Sequence, residues 1–360
     1  MHPAPTFCDP VVFDSYYRPQ PWGGRGLSTQ LGRPLPDDKP YGEAWDLSTL
    51  PLHVSRAIEG THAGRDLNEI WASSRQDLAG PTKHSNFPLL VKWLECYEYL
   101  SLQVHPGDEM ARRVLHEPGG KSEAWIIISV EPNARVYAGL KLGVTRKDVE
   151  AHLKKGTLVD CLHSFTPNVG DCISLPAGTV HAAGGGLIIA EVQQSSDATF
   201  RLFDWNRVGL DGKPRPLQIE RALEATDWDQ GPIIPVRPSR LNTSSSETKG
   251  EHLLKGPHFQ FERYSVEGSF NNPHRGEMTI WMVLDGAGTL QNPATGYLRH
   301  FSKGTTVVVP ASARDVAWTA SMTETPLTLL CVRLESSIVN APHWLPSNSS
   351  LQLSCLNYSS

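Results

Sequence analysis

Two stretches of this 360-residue chain carry one pattern. Gly170-x5-Pro176-x-Gly178-x2-His181 recurs as Gly304-x5-Pro310-x-Ser312-x2-Asp315. In each copy a short apolar run ends at a proline-initiated turn. A β-type run with a Trp precedes it, Trp125 in the first copy and Trp281 in the second. One β unit present twice, on either side of a connector, implies two related β-barrel domains. The rest of the chain agrees. Residues 87–94, 124–130, 171–175, 187–194, 259–266, 279–284, 305–309 and 327–332 all read as strands separated by Gly, Pro and Asp-Gly clusters. Helical spacing is confined to 66–74, 145–155 and 217–225, the second opening with Thr145 and Asp148 placed as in a capping box. The expected fold is all-β dominated, two barrels with a few peripheral helices.

The best connector is 231–250, Pro-rich and then Ser/Thr-rich. It divides the chain into a first domain over 1–230 and a second over 251–335, with a Ser/Asn/Leu tail over 336–360. A net charge of −5 argues against a nucleic-acid partner. No stretch approaches the ~18 uninterrupted apolar residues of a membrane helix. Residues 1–6 lack the basic and apolar regions of a secretory signal. The six cysteines, Cys8, Cys96, Cys161, Cys172, Cys331 and Cys355, have no CxxC spacing and read as free thiols. The expectation is a soluble cytoplasmic protein.

The sharpest local signal is Leu102-Gln103-Val104-His105-Pro106. Residues two apart on a strand share a face, so Gln103 and His105 point the same way. Glu123 opens the apolar strand that follows, and His181 lies just past the Pro176–Thr179 turn. Two imidazoles, a carboxylate and an amide oxygen make a divalent-metal site with an open position, which suits Zn²⁺. In the second copy Asp315 falls at the position of His181 and Thr279 at that of Glu123, so the second barrel reads as metal-free. Two further residues stand out. Glu191 interrupts the apolar run 187–194, where a carboxylate must be paired or liganded. Arg201 offers a donor fork suited to phosphate, and Lys121 precedes Glu123 by two, at the mouth of the site.

These residues resemble the type I phosphomannose isomerases, which are zinc cupins. The resemblance runs from Trp22-Gly23-Gly24 to about Arg215-Pro216-Leu217. It is densest at Phe87–Lys92, Leu102–Pro106, Gly120–Trp125, Pro176–His181 and Glu191–Asp197. The 58 residues from Glu123 to His181 match the short bacterial branch. The resemblance implies two cupin (jelly-roll) barrels and one Zn²⁺ per chain on Gln103, His105, Glu123 and His181. It also implies a catalytic group of Arg201, Glu191 and Lys121. The implied reaction interconverts mannose 6-phosphate and fructose 6-phosphate through an enediol(ate). The partner is then a small phosphosugar, with neither nucleic acid nor membrane; the oligomeric state stays open, a monomer being the simplest form. Two other readings are a metal-dependent cupin oxygenase and a non-enzymatic sugar-phosphate-binding cupin. Gln103 in place of a His, with Lys121 and Arg201 suited to an anion, weighs against the first; an unbroken ligand set weighs against the second.

Overall fold

The computed structural model describes residues 9–243, 246–323 and 325–335. Cys8, Cys355 and the tail over 336–360 lie outside the described residues. Among those described, strands dominate, gathered into four larger sheets and a two-stranded ribbon. The first sheet has six strands in the spatial order Tyr16–Gly24, Tyr41–Leu47, Leu89–Cys96, Leu187–Gln194, Glu123–Val130 and Cys172–Leu175. The second has five: Phe200–Phe203, Leu102–Val104, His181–Gly184, Arg135–Leu140 and Leu162–Phe165. The third sheet repeats the first with Ser239–Leu241, Thr248–Lys255, Phe259–Val266, Leu327–Leu334, Thr279–Asp285 and Thr306–Val309. The fourth, of four strands, is Ser269–Asn271, Ala317–Ala320, Ala287–Asn292 and Tyr297–Ser302. Ser239–Leu241 lies inside the stretch read as a connector, yet it pairs with Thr248–Lys255.

Period-2 alternation explains how the sheets stack. Leu89, Val91 and Trp93, with Ala124, Ile126 and Ile128, and Ile188, Ala190 and Val192, turn one face of the first sheet outward. They share a single core with Phe259, Phe261, Ile280, Met282, Leu330 and Val332 of the third sheet. The alternate residues face the other way: Leu94, Trp125, Ile127 and Ile189 pack against the second sheet, and Trp281, Val283, Leu329 and Cys331 against the fourth. Large sheet therefore lies on large sheet, with a small sheet over each outer side. The helices are peripheral. Leu67–Ala79 has Asp66 as its N-cap, and Arg146–Lys155 is opened by the Thr145–Asp148 capping box. Ile219–Ala225 begins later than its spacing suggested because Gln218 donates its backbone N–H to Arg201 O. No described helix is long and apolar enough to cross a membrane. Cys96, Cys161, Cys172 and Cys331 are free and buried, as expected.

A polar knot crosses the contact between the two halves. Arg33 donates to Asp46 and to Ser15 Oγ (2.6 Å), and reaches the Gly304 carbonyl of the second half. Trp93 Nε1 donates to Asp46 Oδ2 (3.0 Å) and to Thr306 Oγ1 (3.1 Å). Arg33 is buried. Removing one partner of such a pair leaves an uncompensated charge, so Arg33→Ala is expected to cost about 3–5 kcal/mol. Urea unfolding of the variant against the parent chain measures this; a change under about 1 kcal/mol would show the knot to be expendable.

Candidate metal centre

The site is assembled where the second sheet covers the first. His181 opens its strand directly opposite Gln103, with the Gln103 amide nitrogen 3.4 Å from His181 Nε2. The turn before it fixes this register. Thr179 N–H donates to Pro176 O (3.1 Å) across a bend whose third residue, Gly178, has φ +91°. A left-handed third position is what a type II turn demands, and glycine meets it without strain. Gly178 N–H also donates to His105 O (2.9 Å), tying the turn to the other histidine. Glu123 opens the strand Glu123–Val130 and lies opposite Leu175.

Each imidazole is oriented from behind. His105 Nδ1 donates to Ala198 O (2.8 Å) and His181 Nδ1 to Thr179 O (2.9 Å). That leaves each Nε2 as an acceptor turned towards Glu123. His105 Nε2 lies 3.3 Å from Glu123 Oε2, and His181 Nε2 lies 3.2 Å from Glu123 Oε1. Both Glu123 oxygens are buried without a hydrogen-bond donor. Burial, then the Lys121 ammonium, pushes His105 down to about 3, so the ring is neutral. Burial acts to raise Glu123, yet the Lys121 ammonium outweighs it and holds the carboxyl well below the usual range. Each Nε2 thus lies within 3.3 Å of a Glu123 oxygen, a convergence of acceptor atoms that fits a cation. Gln103 Oε1 accepts from Ser101 Oγ (3.1 Å) and stands on the same face.

Gln103 and Lys121 connect this group to a cavity of about 350 Å³, whose wall also includes Glu191, Lys92 and Arg201. Lys121, expected at the mouth, is instead 4% exposed. Its Nζ lies 3.1 Å from His105 Nε2 and 3.2 Å from Glu123 Oε2, between the cavity and these two side chains. Glu191 lines the same wall. Its Oε2 accepts from Trp125 Nε1 (2.9 Å) and its Oε1 lies 3.1 Å from Lys92 Nζ. Burial, then the nearby Glu123, raises Glu191 above the ordinary carboxylate range. Arg201 lies opposite Gln103 across paired strands and donates from Nη1 to Pro216 O (2.9 Å). Asp204 is taken by Arg207 and Arg215, and Asp197 by Arg18. Arg201 Nε is buried without a partner. Burial, then Arg215, lowers its affinity for its proton, the mark of a basic cluster short of counter-charge. Sequence reasoning passed over Arg18, Glu43 and Lys92, which also line the cavity. Lys92 did give a signal, a charge inside an apolar strand, the same one that singled out Glu191.

The second half corrects one expectation. Asp315 does not stand where His181 does: it has φ +60° and pairs with Arg275 at 2.9 Å on the surface. The register puts Trp318 there, opposite Phe270, as His181 lies opposite Gln103. Trp318 meets Trp281 edge-on as His181 meets Trp125. His105 is matched by Asn272, whose amide donates to Thr279 Oγ1 (3.3 Å). The four ligand positions thus become Phe270, Asn272, Thr279 and Trp318. A second group that could hold a metal ion, Glu262, His274 and Cys331, lies elsewhere in that half. There, protons already fill the gap: Glu262 accepts from Tyr264 (2.7 Å), His274 (2.6 Å) and Arg333 (3.0 Å).

A buried metal cradle under a basic, carboxylate-walled cavity in a strand-built frame defines a candidate metalloenzyme acting on an anionic substrate. Comparison with known proteins narrows this. The model of the phosphomannose isomerase type I catalytic domain matches residues 12–136. The mannose-6-phosphate isomerase ManA of Bacillus subtilis is 30% identical over 304 residues, 84% of this chain and 93% of that protein. The mannose-6-phosphate isomerase of Streptococcus mutans is 31% identical, over 85% of this chain and 94% of its own. The crystal structure of a Bacillus subtilis mannose 6-phosphate isomerase superposes with a TM-score of 0.82 at 26% identity, covering 90% of this chain and 99% of the other. The chain belongs to the type I phosphomannose isomerases, a family of aldose–ketose isomerases.

Proposed function

We propose that this chain interconverts mannose 6-phosphate and fructose 6-phosphate as a zinc-dependent isomerase. The observation that carries the reading is the convergence of His105 Nε2, His181 Nε2 and both Glu123 oxygens beside Gln103 and Lys121, which line a cavity whose wall also holds Glu191. Gln103, His105, Glu123 and His181 would hold one Zn²⁺, a nitrogen and oxygen set suited to that ion. When bound, zinc supplies Lewis acidity that makes the proton next to the sugar carbonyl easier to remove.

The chain's own residues do the rest. Glu191, raised by burial and walled by Trp125 and Lys92, is the group that takes the proton from C2 of the open aldose and returns it to C1 of the enediolate. Lys121, with its ammonium between the cavity and Glu123, stands by the oxygen that must lose or gain a proton as the ring opens. Arg201, its Nε unpaired, binds the anionic sugar. The two sheet pairs are read as cupin barrels, catalytic over 1–230 and degenerate over 251–335, joined through 231–250. A phosphate ester does not cross membranes, so the enzyme works in the cytoplasm, on a small-molecule partner.

A coupled isomerase assay on mannose 6-phosphate, before and after chelation and with zinc added back, tests the whole reading. Turnover is expected to disappear with chelator and return with zinc. Metal-replete protein that leaves mannose 6-phosphate untouched would refute the substrate assignment.

A further inference from the structure

Lys92 enters the reading above only as a neighbour of Glu191, yet it is a deeply buried charge. It sits in the apolar strand Leu89–Cys96 and is 3% exposed. An ammonium buried so deeply persists only when paired. Its Nζ lies 3.1 Å from Glu191 Oε1, 3.7 Å from Glu43 Oε2 and 5.4 Å from the centre of the Trp45 ring. Of the two carboxylates, Glu43 is already held by Trp45 Nε1 (2.7 Å) and Gln20 Nε2 (2.5 Å). Glu191 is not: Trp125 holds its Oε2, and the only cation within ion-pair distance of Oε1 among the described residues is Lys92. The strand register makes this a built arrangement. Glu191 lies opposite Lys92 on one neighbouring strand and opposite Trp125 on the other, so Oε2 accepts from the indole on one side and Oε1 faces the ammonium, as an ion pair, on the other.

The duplicated half supplies the comparison. Its register-equivalent of Trp125 is Trp281, and Trp281 lies opposite Cys331, which in turn lies opposite Glu262. Lysine and glutamate are there replaced by glutamate and cysteine. The ammonium–carboxylate pair is thus confined to the half that has the cavity and the ligand group.

We propose that Lys92 is a positioning residue for the isomerisation, its ammonium fixing the Glu191 carboxylate in the one orientation from which it reaches the substrate. The proposal rests on Glu191 as the proton-transferring group. A carboxylate loose by about an ångström loses on the order of 10²-fold in rate without losing substrate affinity in proportion.

The test is a double-mutant cycle on the zinc-loaded enzyme with Lys92→Met, Glu191→Gln and the two together, scored for kcat, KM and bound zinc. Lys92→Met is expected to lower kcat by about 10²-fold, with KM within about threefold and zinc at the parent level. The double variant is expected to be no slower than Glu191→Gln alone, and Lys92→Arg to recover part of the loss. Losses that multiply in the double variant would overturn the proposal, as would a Lys92→Met enzyme with parent-like kcat. Should Lys92→Met not fold, Lys92→Arg and Lys92→Arg/Glu191→Gln close the same cycle. Full turnover in Glu191→Gln alone would overturn the proton-transfer assignment itself, an outcome distinct from failure of the Lys92 proposal.

Discussion

Glu123→Ala is expected to empty the metal cradle and abolish turnover in one step. The two oxygens of Glu123 face the two histidines separately, at 3.3 and 3.2 Å, so both imidazoles lose their common partner. What remains is the Lys121 ammonium 3.1 Å from His105 Nε2, a charge that repels any cation. Bound zinc per chain should fall from one towards zero. Turnover should drop by more than about 10³-fold, since even a single lost electrostatic donor costs about 10²–10³-fold. Glu123→Gln keeps the shape and removes the charge, so it should follow the alanine variant rather than the parent. Elemental analysis of the purified variants decides the matter. A Glu123→Ala protein that keeps its metal would remove Glu123 from the ligand set.

The second large effect separates chemistry from metal binding. Glu191→Gln preserves the volume and the hydrogen bond from Trp125 but removes the proton acceptor. The expected result is a fall in kcat of roughly 10²–10⁴-fold, with zinc still bound. Glu191 pairs with Trp125 and Lys92 and makes no hydrogen bond or ion pair to the histidines. Loss of zinc together with activity would instead make Glu191 a support of the metal site.

Much of this was readable from the chain because β-structure writes burial into alternation. Glu191 and Glu123 stand out as carboxylates in runs that are otherwise hydrocarbon, and both point into the cavity side of the first sheet. The strands 187–194 and 259–266 fall where the pattern places them, and the Thr145–Asp148 cap forms as its spacing requires. Three things were not readable. The edge strand Tyr16–Gly24 brings Arg18 to the cavity, but its partner strand is set by tertiary pairing and its register shifts twice. Lys121 lies between the cavity and the ligand group rather than at the mouth, because how deep a lysine stem reaches depends on packing around it. The turn pattern also misplaces Asp315. The two copies share turn chemistry, but the strand after the second turn starts only at Ala317. The repeat therefore aligns letters that the hydrogen-bond ladder does not align.

The face on which the first sheet meets the third limits how this protein can be divided. Leu89, Val91, Ile126, Ala190 and Val192 share their core with residues that arrive only later in the chain, from Leu253 to Val332. Arg33 and Trp93 have partners in that later half too. A gene cut after residue 250 would encode every proposed metal ligand, yet would leave a hydrophobic wall facing water, of the kind that drives chains to clump. The half without the proposed ligands thus covers the back of the half that carries them, and neither can be taken away without baring the other's apolar wall.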